Sequence, residues 1–317
     1  MEILKLNPVF KDYIWGGQRL KNDFHFETGF DKTAEGWMLA CHKDGMNTVD
    51  GGAYDKMTLQ EVIDKEGLEK IGGKSCTKFP YFPVLIKLID AYDNLSVQVH
   101  PDDKYAREVE NEFGKTEMWY VLDATDDAKL IYGFKEKITK AEFEQSIKDN
   151  TLLDRLNSVN VKKGDLFFIE AGTVHAIGKG ALIAEIQQNS NCTYRVYDYG
   201  RVGKDGKPRE LHVQKAVDVS NTVPPKYDIK PMGEEIEKNG NISQLLSKCE
   251  LFTVNRHKIT SRAALKTDEN SFNHILVIDG NGYINNQKCK KGDSFFVPAG
   301  FGEYEITGEL EVLITSV

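Results

Sequence analysis

The sequence has no basic surplus. Lysine and arginine number 41 against 49 aspartate and glutamate, a formal net charge of −8. Nucleic-acid binders usually carry the opposite balance, so nucleic acid is not an expected partner. An anionic ligand would need a local Lys/Arg cluster to hold it. The sequence also lacks any run of the ~18 apolar residues that a membrane helix requires. Its first residues, MEILKLNPVFKDYIWGG, have no apolar signal core and no small-residue cleavage site. Cysteine is sparse: Cys41, Cys76, Cys192, Cys249 and Cys289 are odd in number, widely spaced and free of any CxxC pair. They read as reduced thiols of a cytoplasmic protein rather than a disulfide frame. What remains is an ordinary globular composition, 40% hydrophobic and 28% charged over 317 residues, long enough to bury a substantial core.

The chain repeats itself. KKGDLFFIEAGTVHAI (Lys162 to Ile177) returns as KKGDSFFVPAGFGEYE (Lys290 to Glu305). Both copies keep the Gly-Asp turn, the Phe pair and Ala-Gly. Where the first copy has His175, the second has Glu303. Retained turn residues with a histidine in one copy point to a duplicated scaffold with one chemical site, and Glu303 is not expected to bind metal.

Strand signals dominate elsewhere. Short apolar or alternating stretches lie between Gly, Asn and Asp, the pattern of a sandwich or barrel. Helices are few and short. Thr58 with Glu61 and Thr139 with Glu142 form capping boxes that open two of them. Asp102 or Asp103 caps a third that runs toward Gly114, a turn of helix falls near Leu152 to Leu156, and LHVQKAVDVS forms another. YFPVLIKLIDAYDNLSVQVHP predicts two strands paired through a tight turn at Asp93-Asn94. Gly203 to Glu210 reads as a loop, and residues 222–243, with three prolines, as a linker. After it a compact second set of strands is expected, with glycine turns such as Asp279 to Gly282. The division is therefore a larger β unit with helical insertions at 1–235 and a smaller one at 236–317.

Four stretches carry candidate chemistry. In Ser96-Val97-Gln98-Val99-His100, alternation puts Ser96, Gln98 and His100 on one strand face. That face is either a polar exterior or a site. Lys115 and Glu117 share a face in GKTE, as a solvated pair or as site residues. His175 follows Ala-Gly-Thr. Together His100, Glu117 and His175 make a His₂-carboxylate set beside Gln98, a ligand chemistry that suits Zn²⁺ and permits Fe²⁺. Glu185 and Gln187 share one strand face, and Thr193, Arg195 and Tyr197 share another. Arg195 is either a structural partner of Glu185 or an anion holder.

These residues carry a resemblance. FKDYIWGGQRL (Phe10 to Leu20), EGWMLACH (Glu35 to His42), LSVQVHPDD (Leu95 to Asp103), GKTEMWYVL (Gly114 to Leu122), EAGTVHAI (Glu170 to Ile177) and AEIQQNSNCTYRVYDYGR (Ala184 to Arg201) resemble the type I mannose-6-phosphate isomerases in their short bacterial form. The resemblance implies an all-β double cupin, two jelly-roll barrels with short helical insertions. It implies one zinc ion per chain held by Gln98, His100, Glu117 and His175. It makes Arg195 the essential active-site arginine, with Lys115, Glu185 and Ser96 lining the same pocket. The implied activity interconverts mannose 6-phosphate and fructose 6-phosphate through an enediolate, in a monomer or small homo-oligomer. The sequence departs from the longer members at Ile177, where they often carry tyrosine. Two other classes compete: a cupin metal dioxygenase, which the same ligand types permit, and a non-catalytic sugar-binding or storage cupin, since the second repeat shows that the scaffold can exist without a metal site.

Overall fold

The computed structural model describes residues 1–203 and 206–317, so Lys204 and Asp205 of the expected Gly203–Glu210 loop lie outside the described residues. The architecture is all-β with short helices, as the strand-rich sequence predicts. A six-stranded sheet and a five-stranded sheet close around the first core, and a ten-stranded sheet forms the C-terminal unit. The first strand, Leu4–Asn7, belongs to that C-terminal sheet, pairing antiparallel with Ser294–Val297.

The repeat explains how the two units join. In each copy a glycine with φ of 93° turns the chain. Asp165 Oδ2 accepts from the Lys162 amide at 3.0 Å, and Asp293 Oδ2 accepts from the Lys290 amide at 2.9 Å. Lys-x-Gly-Asp therefore closes the same side-chain-locked turn twice. The Phe pair that follows alternates across its strand. Phe167 packs inside the first barrel and Phe295 inside the second. Phe168 and Phe296 point the other way, into one core shared between the units. That shared core also takes Ile86, Leu88, Met118, Tyr120 and Ile186 from the six-stranded sheet. This sheet is thus buried on both faces, which is why Val84–Asp90 reads as a continuous apolar run.

Several local expectations are met and several corrected. Both capping boxes form, opening helices Leu59–Glu66 and Lys140–Lys148. Leu152–Arg155 and Val213–Val219 are helical. The helix capped by Asp102 stops at Val109, short of Gly114. Gly114 serves another purpose: a Cβ there would lie 2.5 Å from the Asp102 carbonyl carbon. The glycine lets the GKTE segment pass against the helix start.

Val84–Asp90 and Val97–Val99 do not pair with each other. The former lies in the six-stranded sheet and the latter in the five-stranded sheet. The Asp93-Asn94 bend carries the chain across the barrel, with the Leu95 amide donating to Ile177 O at 2.9 Å. The change from an apolar run to alternation marks two burial environments, not a hairpin. The expected linker ends early, because Ile236–Lys238 already pairs with Asn241–Lys248. Asn239 and Gly240 have φ of 53° and 78°, the left-handed pair of a two-residue hairpin. Asp279 to Gly282 is a bulged stretch inside the strand Asn273–Ile284, not a turn.

One buried histidine ties the units together and sets a pH dependence. Ser294 Oγ donates to Met38 O at 2.6 Å, so it must accept from His274 Nε2–H at 2.8 Å. Nδ1 then holds a lone pair with no partner among the described residues. Burial pushes the His274 pKa down to about 3. The unfolded chain takes up this proton near pH 6.5 and the folded one does not, so stability is lost as pH falls below 6.5. His274 alone is expected to account for about 2 kcal/mol between pH 7.5 and pH 5. Urea titrations of wild type and His274→Gln at both pH values check this. Between pH 7.5 and pH 5 wild type should lose about 2 kcal/mol more than the variant does.

Candidate active site

The five-stranded sheet sets one row of the site. His175 lies opposite Gln98, and Gln98 lies opposite Arg195. Val97 and Val99 are fully buried on the other side, in a core beneath helix Val213–Val219. The face carrying Ser96, Gln98 and His100 therefore points into the barrel rather than to solvent. The facing six-stranded sheet sets a second row. Glu185 lies between Trp119 and Lys87, and Gln187 lies opposite Glu117.

His100, Glu117 and His175 converge at the buried end. Their ligand atoms all lie within 4.8 Å of one another. His100 Nδ1 meets Cys192 O at 2.8 Å, and His175 Nδ1 meets Thr173 O at 2.8 Å. A carbonyl can only accept, so both Nδ1 atoms carry the proton and both Nε2 atoms carry a lone pair. Those Nε2 atoms face each other at 3.1 Å. Burial first, then the Lys115 charge, push both imidazoles down, His175 to about 3. Glu117 stands 3.6 Å from His100 Nε2 and 3.5 Å from His175 Nε2, with Oε1 buried and without a hydrogen-bond partner. The Gln98 amide is 3.5 Å from His175 Nε2. Two neutral imidazoles with their outer nitrogens tied to backbone, one orphaned carboxylate oxygen and one amide form a donor set that fits a divalent cation.

Lys115 lies between this cluster and the cavity. Its Nζ bonds Glu117 Oε2, is 3.0 Å from His100 Nε2 and is 3.8 Å from Glu185 Oε1. The charges continue beyond it: Lys87 Nζ is 3.3 Å from Glu185 and 3.7 Å from Glu35. Trp119 Nε1 donates to Glu185 at 2.9 Å, and Trp37 Nε1 donates to Glu35 at 2.6 Å. Formally three carboxylates alternate with two ammonium groups. Burial raises the Glu185 pKa, but Lys115 and Lys87 outweigh it and hold the group down to about 2. Burial and then the Glu185 charge push Glu117 up to about 7. The two neighbouring carboxyls are thus driven apart, Glu185 down and Glu117 up.

Above this floor a cavity of about 290 Å³ opens, lined among others by Ser96, Gln98, Lys115, Ile177, Glu185 and Arg195. Arg195 does not pair with Glu185. Its Nη1 donates to Glu210 O at 2.8 Å, and its Nε is buried without a partner among the described residues. Thr193 shares the cavity wall, but Tyr197 does not, because the pairing register shifts between Arg195 and Tyr197. Sequence reasoning missed Glu35, Lys87 and Arg209, which also line the cavity. Lys87 had a visible signal: it is the one charge inside VLIKLI, and a lysine in a doubly buried strand needs carboxylate partners.

Fold and site define a double-cupin enzyme with a buried His₂-carboxylate cluster under a polar pocket. Comparison with known proteins narrows the class. The family model for the phosphomannose isomerase type I catalytic domain matches residues 3–130, and that for the mannose-6-phosphate isomerase cupin domain matches residues 241–317. A mannose-6-phosphate isomerase of Bacillus subtilis is 39% identical, covering 99% of this chain and 98% of its own. One from Streptococcus mutans is 36% identical over 98% and 97%. A crystal structure of the Bacillus subtilis mannose 6-phosphate isomerase superposes with a TM-score of 0.90 at 35% identity, covering 100% of both chains. The chain belongs to the type I phosphomannose isomerase family. The dioxygenase and storage alternatives receive no support from these relatives. No helix among the described residues is long and apolar enough to cross a membrane.

Proposed function

We propose that this chain interconverts mannose 6-phosphate and fructose 6-phosphate, using one zinc ion held by Gln98, His100, Glu117 and His175. The observation that supports it most directly is the pair of imidazole lone pairs facing each other at 3.1 Å beside the orphaned Glu117 oxygen. Zinc bound there supplies a Lewis acid for the sugar oxygens on which enediolate charge develops.

The remaining work falls to the chain's own side chains. Isomerisation moves a proton between C1 and C2 of the open-chain sugar, and a shuttle must lie within hydrogen-bond reach of both carbons. Glu185 and Lys115, which both line the cavity beside the metal cluster, are the candidates for this shuttle. Trp119 and Lys87 fix the Glu185 carboxylate in place. Ser96 offers a hydroxyl to the sugar, and Ile177 gives that side of the pocket an apolar wall. Arg195, with its Nε unspent, suits an anion. The division of labour follows the repeat. The metal-bearing catalytic unit is built from residues up to 235, apart from Leu4–Asn7 and Thr48–Val49, which join residues 236–317 in a cupin without a metal site. Glu303 is exposed opposite Lys266, and the second barrel is filled by Ile275, Phe295, Tyr304 and Ile306. Five free cysteines suit a cytoplasmic enzyme.

A coupled assay following fructose 6-phosphate formation tests the proposal. Activity is expected in the zinc-loaded enzyme, loss of at least ~100-fold after chelation, and recovery on adding zinc. A zinc-loaded enzyme without activity on mannose 6-phosphate would reject the assignment.

A further inference from the structure

Two arginines grip one carboxylate beside the cavity, and a third, Arg195, lines the cavity near them. Asp198 is buried, with 6% of its side chain exposed. Arg209 reaches it with a two-pronged grip, Nε to Oδ2 at 2.7 Å and Nη2 to Oδ1 at 2.5 Å. Arg201 reaches it from the other side, Nη2 to Oδ1 at 2.5 Å. The two roles differ. Arg201 is committed: Nη1 bonds Asn94 O, Nε donates to Asp198 O at 3.3 Å, and the guanidinium stacks 5.4 Å from the Tyr199 ring centre. It does not line the cavity. Arg209 does, beside Arg195 and Thr193.

Donor accounting shows what Arg209 has left. Asp198 takes its Nε and Nη2 edge, so the Nη1 group is the edge without a partner among the described residues. Arg195 contributes its buried, unpartnered Nε. Two guanidinium groups with spare N–H donors therefore line one cavity, which His100, Glu117 and His175 do not line. Beyond Asp198, the carboxylates near these arginines among the described residues are exposed: Asp93 stands 3.9 Å from Arg201 at 53% exposure, and the Glu210 carboxylate is 84% exposed. Burial, then the Arg209 charge, depress the Arg195 pKa, and Asp198 offsets them only in part. A bidentate Asp–Arg contact is also a rigid one, fixing the plane of the free edge.

We propose that Arg209, positioned by Asp198, is the residue that selects phosphorylated over unphosphorylated sugars, by donating with Arg195 to the phosphate dianion. The proposal rests on the isomerase assignment for its substrate, but phosphate binding itself can be measured without turnover. Asp198 is a positioning residue: it touches no substrate and acts by aiming Arg209.

The test uses Arg209→Gln, Arg209→Lys, Asp198→Asn and the wild-type zinc-loaded enzyme. Arg209→Gln is expected to raise KM for mannose 6-phosphate roughly 10- to 100-fold, the range a lost charge-assisted hydrogen bond gives, with kcat within about threefold. Arg209→Lys restores part of the loss, since it keeps the charge without the fork. Asp198→Asn raises KM less than Arg209→Gln does. Inorganic phosphate supplies the independent arm. It should inhibit wild type competitively and raise its melting temperature, with both effects weakened at least about tenfold in concentration in Arg209→Gln. An unchanged KM together with unchanged phosphate protection, even with a lower melting temperature, overturns the proposal and leaves Arg209 a structural group. A fall in kcat at constant KM overturns it too. A wild type inactive on mannose 6-phosphate that still binds phosphate through Arg209 rejects the isomerase assignment and keeps this one. Loss of phosphate binding in Arg195→Gln alone, with Arg209→Gln at wild-type affinity, rejects this one and keeps the isomerase.

Discussion

Glu117→Gln is expected to lower turnover roughly 10³-fold and to leave the purified chain without bound zinc. Glu117 is fully buried and is the one anionic member of the proposed ligand set. Substitution keeps the shape and removes the charge. The new amide can turn its NH₂ toward the lone pairs of His100 and His175, which then find donors without any cation. The variant should therefore fold, with stability close to that of the zinc-free wild type. The rate falls because the Lewis acid leaves with the metal, and a Lewis acid supplies several kcal/mol of transition-state stabilisation, each 1.36 kcal/mol being tenfold. Three measurements check this together: zinc per chain by elemental analysis, turnover in the coupled assay, and the melting temperature with and without added zinc. Wild type should gain stability with zinc by mass action, and the variant should not. One zinc per chain with activity within tenfold of wild type would remove Glu117 from the ligand set.

Lys87→Met is expected to cost about 3–5 kcal/mol of stability near pH 8, the range for removing one partner from a buried charge pair. Lys87 is 4% exposed, and its ammonium stands between Glu185 and Glu35. Burial opposes the charge, but the two carboxylates outweigh it and hold the amine protonated. Methionine fills the space of the stem and abandons both carboxylates. The loss should depend on pH with a definite sign. In wild type the folded Glu185 carboxyl is held down to about 2, so it contributes stability above its unfolded pKa and loses it as pH falls. Without Lys87 the Glu185 carboxyl keeps Lys115 but loses its second cation, so its folded pKa rises. It then takes up a proton at a higher pH than in wild type, and the penalty is full in alkali and shrinks as pH falls through that raised value. Urea titrations at pH 8 and pH 5.5 should show the gap between variant and wild type narrowing in acid. Adding Glu35→Gln should recover part of the loss, because one orphaned carboxylate is removed. A penalty independent of pH would mean that packing of the stem, not charge, accounts for the effect.

Lys87 and His100 also show how much was legible beforehand. His100, Glu117 and His175 were visible because their residue types suit a metal and because one repeat keeps a histidine that the other lacks. Ser96, Gln98 and His100 were placed correctly on one strand face by alternation alone. Lys87 and Glu35 carry as much of the site's charge and were passed over. Periodicity reports which way a side chain points, but not what stands opposite it, and their importance comes from Lys87 standing opposite Glu185 and within 3.7 Å of Glu35 on the neighbouring strand. Arg209 was hidden for a similar reason. It lies in a loop without periodicity, and its partner Asp198 is brought to it by folding.

The sequence by itself determined the strand-rich composition, the capped helices, the two KKGD turns and the direction of the Phe pairs. These are set within a few residues, by turn conformation, side-chain capping and the two-residue repeat of a strand. It also supplied the ligand types of the buried cluster. Only the tertiary structure decided that Val84–Asp90 and Val97–Val99 belong to opposite sheets, and that the first strand of the chain completes the C-terminal sheet. Only it decided that the charges of Glu35, Lys87, Glu185, Lys115 and Glu117 form one alternating line. Those outcomes depend on which strands are neighbours and on how far water is excluded between them. The energy of a buried charge follows from its distance to the next charge, a distance that exists only once the barrel has closed.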